Sequence, residues 1–232
     1  MNMKYNIIGD IHARTCWRHL VNEEYINIFV GDYFDPYEYI PQVERVANFQ
    51  ALMDYKREHP DNTILLYGNH DLHYLIADEH YSRYEPRYAN EYWRMFIQTE
   101  SLFYGIAFPI GDIALVTHAG VTREWYERYL GKYKSESLAE VADKINQFWQ
   151  ENKQAFAFET NATIWGDRYG ISPTHSPLWI RPDTLVKHDL FAGKEVKQII
   201  GHTQTEAGVM KDHNIICVDC LGTKEKSFIW EL

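Results

Sequence analysis

Eight residues of the types that bind metal ions or transfer protons occur in short polar stretches, each close behind an apolar run. They are Asp10, His12, Asp32, Asp35, Asn69, His70, His118 and His202. The set contains carboxylates, imidazoles and one amide but no thiolate. These ligands suit Mn, Fe or Zn ions better than they suit a structural thiolate zinc site. Asp10 and His12 are two positions apart, so both side chains can reach one ion beyond the end of a strand.

The apolar runs that precede these residues predict buried strands that end in tight turns. The five segments are YNIIGDIH, INIFVGDYFD, TILLYGNHD, IALVTHAG and VKQIIGHTQ. One such segment is weak evidence, because GNHD alone could cap a helix and His118 alone could be a core histidine with its hydrogen bonds satisfied. Burying all five turns without a cation would leave several polar groups without partners. The turns together therefore predict one metal site.

Helical patterns lie between the predicted strands. PQVERVANFQALMDYKREH has Pro41 in its first turn and a predicted face of Val43, Val46, Ala47, Gln50 and Met53. SESLAEVADKINQFWQENK has Ser135 or Ser137 as its cap and a predicted face of Leu138, Val141, Ile145, Phe148 and Trp149. Strands that alternate with helices predict an α/β fold with the polar turns at strand carboxyl ends.

The chain shows no repeat and no linker, so we expect one domain over residues 1–232. Its end, IICVDCLG followed by KSFIWEL, predicts a hairpin around Gly222 and Thr223.

The composition disfavours some functional classes. A formal net charge of −10 disfavours general nucleic-acid binding and docking on an anionic membrane. Three cysteines, Cys16, Cys217 and Cys220, indicate a reducing compartment, and we interpret the Cys217–Cys220 pair as buried thiols instead of a redox or metal site. Few apolar residues precede Asp10, and no run approaches the ~18 of a membrane span, so we expect a cytoplasmic protein without a signal peptide.

The order of five motifs resembles that of the calcineurin-like metallophosphoesterases, and within them the bacterial phosphoprotein-phosphatase-like branch. The motifs are GDIHA (9–13), GDYFD (31–35), GNHD (68–71), THAG (117–120) and GHTQ (201–204). They follow the family's order over nearly the whole chain. The resemblance implies an α/β fold, a β-sandwich of two mixed sheets flanked by helices, with a dinuclear metal centre at one edge.

The resemblance also implies a role for each matched residue. It assigns Asp10 and His12 to the first metal, Asn69, His118 and His202 to the second, and Asp32 to both. His70 would stay off the metals as general acid or electrostatic stabiliser, oriented by Asp35. Two divalent ions about 3.5–4 Å apart (Mn, Fe or Zn, with Mn favoured) would hold a bridging hydroxide and clamp the phosphoryl oxygens.

Three arginines are candidates for binding the substrate phosphate, because the guanidinium fork matches two phosphate oxygens. Arg181 in SPLWIRP resembles the Trp-x-Arg segment of bacterial family members. Arg168 in IWGDRYG and Arg14 after GDIHA are the second and third candidates. Each could instead form a surface salt bridge.

The sequence departs from the family pattern at three places. Pro36 and Tyr37 follow Asp35 where phosphoprotein phosphatases have Arg-Gly, which argues against a protein substrate. Ala13 replaces a usual glycine, so we expect the backbone there to avoid conformations that only glycine adopts. Gln204 stands where some relatives have a second histidine, so the first metal would be held more loosely or keep an extra water.

Residues 73–93 are rich in tyrosine, with Tyr74, Tyr81, Tyr84, Tyr88 and Tyr92. They predict either a packed insert with aromatic filler or a lid over the metal cleft that stacks on a base or aromatic leaving group.

The first functional prediction is a metal-dependent hydrolase of phosphomonoesters, whose substrate is a phosphorylated small molecule, a nucleotide or a phosphoprotein. The alternative enzyme hydrolyses phosphodiesters or nucleotide anhydrides such as dinucleoside polyphosphates. A third hypothesis is a non-catalytic scaffold that has kept the fold, which is disfavoured because every ligand position is intact.

Overall fold

The computed structural model describes residues 3–77, 83–158, 170–206 and 208–231. The strands in these ranges are β1 (Lys4–Ile8), β2 (Ile26–Phe29), β3 (Thr63–Leu65), β4 (Ala107–Ile110), β5 (Ala114–Thr117), β6 (Lys197–Ile200), β7 (Met210–Asp212), β8 (Ile215–Cys217) and β9 (Phe228–Glu231). The helices are α1 (Trp17–Leu20), α2 (Gln42–Glu58), α3 (Asn69–Ile76), α4 (Pro86–Thr99), α5 (Arg123–Leu130), α6 (Leu138–Glu151) and α7 (Pro182–His188), with 3-10 turns at Glu100–Leu102 and Lys153–Phe156.

The strands form two mixed sheets. The first has the order β3-β2-β1-β9 and the second the order β4-β5-β6-β8-β7. Within the first sheet β1, β2 and β3 are parallel, and within the second β5, β6 and β8 are parallel. The antiparallel strands β9, β4 and β7 lie at sheet edges. All five apolar runs are parallel strands, which confirms their prediction.

Each central strand is buried on both faces. Ile7 of β1 and Ile28 of β2 pack between the two sheets, whereas the next residues, Ile8 and Phe29, pack in a second cluster with residues of α2, α3 and α4. On the second sheet, Ile200 packs with Leu185 of α7. Burial on both faces explains why these strands are continuous apolar runs instead of alternating patterns. The predicted α/β architecture of two mixed sheets flanked by helices is confirmed.

Helix α6 begins and packs as predicted. The Ser137 hydroxyl accepts a hydrogen bond from the Glu140 amide, and a Glu140 carboxylate oxygen accepts one from the Ser137 amide at 2.9 Å. These two bonds form a capping box, which satisfies donors that a helix start leaves unpaired. Of the predicted face, Leu138, Val141, Ile145 and Trp149 are buried and Phe148 is partly buried.

The predicted face of α2 is confirmed at Met53, which is buried, and at Val46, which packs partly buried against the core, but Val43, Ala47 and Gln50 are exposed. Val43 is 68% exposed, and the buried residues are Arg45, Asn48, Phe49, Leu52 and Met53. Two of these are polar and have hydrogen-bond partners elsewhere in the fold. The Trp17 indole donates to the Asn48 Oδ1 at 3.0 Å, and Arg45 pairs with Glu85 and donates to the Ile40 carbonyl at 2.7 Å. A pattern of apolar spacing cannot find a face whose burial depends on such tertiary partners.

The predicted hairpin at the chain end is also wrong. Strand β8 lies in the second sheet between β6 and β7, and β9 pairs antiparallel with β1 in the first sheet. Since both edges of β8 are occupied, β9 must find its hydrogen bonds elsewhere. The segment between them therefore crosses from one sheet to the other.

The cysteines and tyrosines behave as packing residues. Cys16, Cys217 and Cys220 are free and buried. Tyr74 and Tyr92 are fully buried, and Tyr84 and Tyr88 pack against the same core. This favours the packed-insert interpretation for those four tyrosines; Tyr81 lies outside the described residues.

No helix within the described ranges combines the length and the apolar composition needed to cross a membrane.

Candidate metal centre

The polar turns after β1, β2, β3, β5 and β6 meet at one edge of the sandwich. Several of their residues have left-handed backbone torsions: His12 at φ 45°, Ala13 at 61°, Asp32 at 57°, Asp35 at 58° and His202 at 61°. The torsion of Ala13 contradicts the expectation that this position avoids the conformation that glycine favours. Such torsions cost roughly 1–2 kcal/mol for a residue with a side chain, and they concentrate at functional sites. Here, backbone hydrogen bonds hold the turn, including Ala13 N to Tyr33 O at 2.9 Å.

Gly31 and Asp71 allow the turns after β2 and β3 to pack closely against each other. A Cβ atom on Gly31 would lie 2.3 Å from the Gly68 nitrogen, so only glycine allows this approach. Asp71 then accepts hydrogen bonds from three backbone amides, those of Gly68 at 2.7 Å, Asp32 at 2.9 Å and Tyr33 at 2.9 Å. The Asp71 carboxylate thereby fixes the position of Asp32 relative to helix α3.

Replacing Gly68 by Ala should disrupt this arrangement. The new Cβ would lie 2.1 Å from Asp32 Oδ1 and 2.6 Å from its backbone nitrogen. We expect destabilisation of about 1–3 kcal/mol, typical of overpacking, together with at least ~10-fold weaker binding of divalent ions. Thermal unfolding and a Mn²⁺ titration would measure both effects.

Gly111→Ala is the control, because it makes the same substitution at a place where the added Cβ would have no neighbour within 4 Å. It should leave ion binding unchanged. Equal ion affinity of the Gly68 and Gly111 variants would contradict the assignment of Asp32 to the site.

The first group of ligand atoms comes from Asp10, His12 and Asp32, which are buried and whose ligand atoms all lie within 4.8 Å of one another. The His12 Nδ1–H donates to the carbonyls of Asp35 at 2.9 Å and Phe34 at 3.1 Å, which leaves the Nε2 lone pair 3.6 Å from Asp32 Oδ2. A carbonyl that takes the distal proton of a histidine is the usual second-shell partner of a metal ligand.

The second group comes from Asn69, His118 and His202. Asn69 Oδ1 lies 2.7 Å from His118 Nε2 and 2.9 Å from His202 Nδ1. The other nitrogen of each imidazole donates to a carbonyl: His118 Nδ1 to Val30 at 2.8 Å, and His202 Nε2 to Trp179 at 3.2 Å. Asp32 Oδ2 is 3.5 Å from His118 Nε2, so this one oxygen faces both groups.

A bound cation explains these short contacts better than direct hydrogen bonds between the side chains do. Burial lowers the pKa of His12 to about 4 and also lowers the pKa values of His118 and His202, so all three imidazoles are neutral at neutral pH. Their single protons point to carbonyls, and their lone pairs point at carboxylate and amide oxygens. Acceptors that face acceptors in a buried place repel unless a cation lies between them. The donor set, with nitrogen and oxygen only, fits divalent Mn, Fe or Zn.

Beside the two groups, His70 and Asp35 form a hydrogen-bonded pair. His70 Nδ1 lies 3.0 Å from Asp35 Oδ2. Burial alone would lower the pKa of His70, but the carboxylates of Asp32 and Asp35 outweigh it and raise that pKa. Burial opposes the ionisation of Asp35, yet hydrogen bonds from His70 and His73 lower its pKa to about 2. The carboxylate of Asp35 therefore favours the protonated form of the His70 imidazole.

Sequence reasoning missed the residues that hold Asp35. His73 Nε2 donates to Asp35 Oδ2 at 2.7 Å, and the Tyr74 hydroxyl donates to Oδ1 at 2.5 Å. His70, His73 and Tyr74 are three and four positions apart on α3, so they share one face of the helix. That spacing within GNHDLHY is the sequence signal that could have indicated a shared role for these residues. Asp219 was also missed: its buried carboxyl group lies against that of Asp10, and burial with the charge of Asp32 raises its pKa to about 7.

A cavity of about 290 Å³ opens over this edge. It is lined by Asp32, Tyr37, Asn69, His70, Trp179, Arg181, His202 and Gln204. Arg181 thus lies beside the candidate ligands, where its Nη1 donates to Thr203 Oγ1 at 3.1 Å and to the His202 carbonyl at 3.3 Å. Tyr37 occupies part of the wall, with its ring 4.9 Å from that of His12.

The other two arginine candidates are placed differently. Arg14 forms a two-point ion pair with Glu38, at 2.9 and 3.2 Å, and lines a larger cavity of about 520 Å³. That cavity also carries Glu44 and Glu225 but none of the candidate metal ligands, and its acidic wall suits an anion poorly. Arg168 lies outside the described residues.

Comparison with known proteins agrees with this geometry. The model of the calcineurin-like phosphoesterase family matches residues 3–206. Among solved structures, the cold-active protein-tyrosine phosphatase of a psychrophilic Shewanella species is 20% identical, with a TM-score of 0.55, and the match covers 94% of this chain and 71% of that one. A second structure of a cold-active protein tyrosine phosphatase is 19% identical, with a TM-score of 0.61 and coverage of 98% and 73%.

A protein serine/threonine phosphatase from Saccharomyces cerevisiae, described as similar to human phosphatase PP5, is 15% identical, with a TM-score of 0.54 and coverage of 99% and 79%. These identities show a shared fold. No curated protein sequence matches the chain significantly. The family match spans most of the chain and includes every polar turn described above, so the chain belongs to the calcineurin-like phosphoesterase family and is a metal-dependent phosphoesterase.

Proposed function

We propose that the chain hydrolyses phosphomonoesters at a centre of two divalent ions held by Asp10, His12, Asp32, Asn69, His118 and His202. The observation that carries this proposal is the position of Asp32 Oδ2, which is 3.6 Å from His12 Nε2 and 3.5 Å from His118 Nε2. An oxygen placed between two sets of neutral nitrogen donors supports a bridging role. When bound, two such ions supply a hydroxide nucleophile and neutralise charge on the phosphoryl oxygens.

The chain's own residues would bind the substrate and move the proton. Arg181 lines the cavity and would hold phosphate oxygens through its guanidinium fork. His70 also lines the cavity, and in its protonated form it would donate to the leaving oxygen while Asp35 retains the Nδ1–H bond. Burial of the ligands among apolar strands excludes water that would otherwise screen these charges.

The volume of the cavity favours a small substrate. About 290 Å³ lies at the lower limit of ligand cavities, which span about 300–1,000 Å³. A phosphate with a small organic group fits this space better than a dinucleoside polyphosphate does. Two aromatic residues on its wall, Tyr37 and Trp179, favour a planar leaving group and keep nucleotides as the second candidate. The scaffold hypothesis loses its support, because the family is enzymatic and no ligand position is replaced.

The identity of the metal ions and the cellular compartment of the protein are further proposals. The nitrogen and oxygen donors suit Mn, Fe or Zn, and we propose Mn²⁺ among these ions. The free thiols of the three cysteines support a reducing compartment, the cytoplasm.

The experiment that tests the function uses metal-stripped protein reconstituted with Mn²⁺. Its substrates are an aryl phosphomonoester, an aryl phosphodiester and diadenosine tetraphosphate. We expect the monoester to give the highest kcat/KM, with no turnover before Mn²⁺ is added. A higher kcat/KM for the diester or for the tetraphosphate would contradict the monoester proposal and establish the alternative.

Replacing Arg181 by Ala should raise KM for the aryl monoester by about 10–100-fold, because a hydrogen bond to a charged group contributes about 1.5–3 kcal/mol. Steady-state kinetics measure the change, and elemental analysis checks that both metal positions remain filled. Arg14→Ala is the matched control, since Arg14 is paired with Glu38 and lines the other cavity. A larger effect on KM at Arg14 than at Arg181 would reverse the assignment.

A further inference from the structure

Within the described parts of the chain, six parallel strands point their carboxyl ends at the candidate metal centre, and five of the turns that follow carry the assigned ligands. The sixth strand is β8, which ends at Cys217 and is followed by Val218 and Asp219. Asp219 therefore stands two positions beyond its strand, as Asp10 stands two positions beyond β1. The fold places Asp219 where the other strands place ligands, although no motif marks it.

The backbone brings this sixth turn against the first one. A Cβ on Gly9 would lie 2.6 Å from the Val218 carbonyl oxygen and 2.9 Å from the Asp219 Cα, so the absence of a side chain permits the approach. Val218 N donates to Ile200 O at 2.7 Å, and Thr205 N donates to Asp219 O at 2.8 Å. These bonds fix a side chain that is only 5% exposed and whose carboxyl group contacts the carboxyl group of Asp10.

The resulting cluster is too acidic to be explained by packing. Asp10, Asp32 and Asp219 are all buried, and each interacts electrostatically with the others. Of the cations that act on Asp219, Arg14 is already paired with Glu38, and Arg181 donates to Thr203 and to the His202 carbonyl. Buried carboxyl groups in contact need either a shared proton or a cation between them, and a divalent ion at the Asp10–His12–Asp32 group would supply that positive charge.

We propose that Asp219 is a positioning residue of the first metal position, which acts through Asp10 to tighten the binding of the divalent ion there. The inference rests on the proposed dinuclear centre. Asp219 is absent from the group of close ligand atoms, so its action is through contact and charge instead of direct coordination. Partners that hold a metal ligand in place typically contribute about 10–100-fold to metal affinity.

The test compares Asp219→Asn with the wild type in two measurements on the full chain, with Mn²⁺ as the probe. Calorimetric titration of the metal-free protein should show two Mn²⁺ sites, and the dissociation constant of the weaker site should rise about 10–100-fold in the variant. Thermal unfolding should show a Tm for the metal-free variant close to that of the wild type, because the asparagine amide can donate to Asp10 in place of the proton that the two carboxyl groups share. The rise in Tm on adding Mn²⁺ should be smaller than in the wild type.

Asp189→Asn is the matched control. Asp189 is likewise a buried carboxylate, but it accepts hydrogen bonds from Phe191 N at 2.9 Å and Gln198 Nε2 at 2.6 Å and lies outside the metal groups. This variant should lower the Tm of the metal-free protein and leave both dissociation constants unchanged. The comparison of the two variants thus distinguishes a carboxylate that stabilises the fold from one that increases the affinity for Mn²⁺.

Unchanged Mn²⁺ affinity in Asp219→Asn would overturn the inference while leaving the dinuclear centre intact. A metal-free Asp219→Asn variant that melts as far below the wild type as the control, or fails to fold, would overturn it too, since Asp219 would then stabilise the chain itself. A wild type that binds no Mn²⁺ would overturn both the inference and the proposed function.

Discussion

Replacing Asp32 by Asn will lower kcat for an aryl phosphomonoester by at least about 10³-fold, since the ions supply several kcal/mol of stabilisation and each 1.36 kcal/mol is a factor of ten. Asp32 Oδ1 accepts from the His70 amide at 2.9 Å, so the asparagine oxygen would stay there. Its NH₂ group would then occupy the place of Oδ2, facing the lone pairs of His12 and His118. The variant would therefore present N–H hydrogen-bond donors to both metal positions, where each ion needs a ligand oxygen.

The measurement is kcat of Mn²⁺-reconstituted protein, with bound metal determined by elemental analysis. Asp54→Asn is the control, because Asp54 is an exposed carboxylate of α2 that contacts Gln50 and Arg57. It should keep full turnover. An Asp32→Asn variant that binds as much metal as the wild type and turns over as fast would show that Asp32 bridges nothing.

Replacing His70 by Ala will lower kcat by about 10²–10⁴-fold for an alkyl phosphate, the range that general acid catalysis contributes. The loss should be smaller for an aryl phosphate with an acidic phenol, because that leaving group needs little protonation. Asp35, which is fixed by His73 and Tyr74, orients the imidazole and raises its pKa in the wild type, which favours the protonated form. Bound metal should not change, since His70 lies off both ligand groups.

Kinetics with a series of leaving groups of graded pKa measure this difference as a steeper dependence of kcat on leaving-group pKa in the variant. His213→Ala is a suitable control, because the His213 side chain is 76% exposed and pairs only locally with Asp212. If His70→Ala slowed alkyl and aryl substrates equally, the residue would stabilise charge without donating a proton. Unchanged turnover would exclude both roles.

The sequence predicted the parallel strands and their polar turns because one physical feature marks them. A strand buried on both faces must be apolar throughout, and a polar turn behind it is costly unless a cation compensates it. Asp10, Asp32 and His118 each follow such a run. The same logic applied to IICVD would have found Asp219, but the pair of cysteines drew the interpretation toward thiols.

Other features depend on contacts between distant parts of the chain, which no local pattern contains. The buried face of α2 follows from the partners of Arg45 and Asn48, and β9 pairs with β1 because both edges of β8 are occupied. The left-handed torsion of Ala13 is held by backbone bonds to the turn after β2. The sequence offers both Arg181 and Arg14 as phosphate-binding candidates, and the fold shows that Arg181 lines the cavity whereas Arg14 is paired with Glu38.

The most direct test of the central claim is a titration of metal-free protein with Mn²⁺ in which bound metal and hydrolysis of an aryl phosphomonoester are measured together. The account predicts saturation at two ions per chain, with turnover that appears only as the second position fills. Turnover by the metal-free protein, or full turnover with one ion bound, would contradict a dinuclear centre bridged by Asp32.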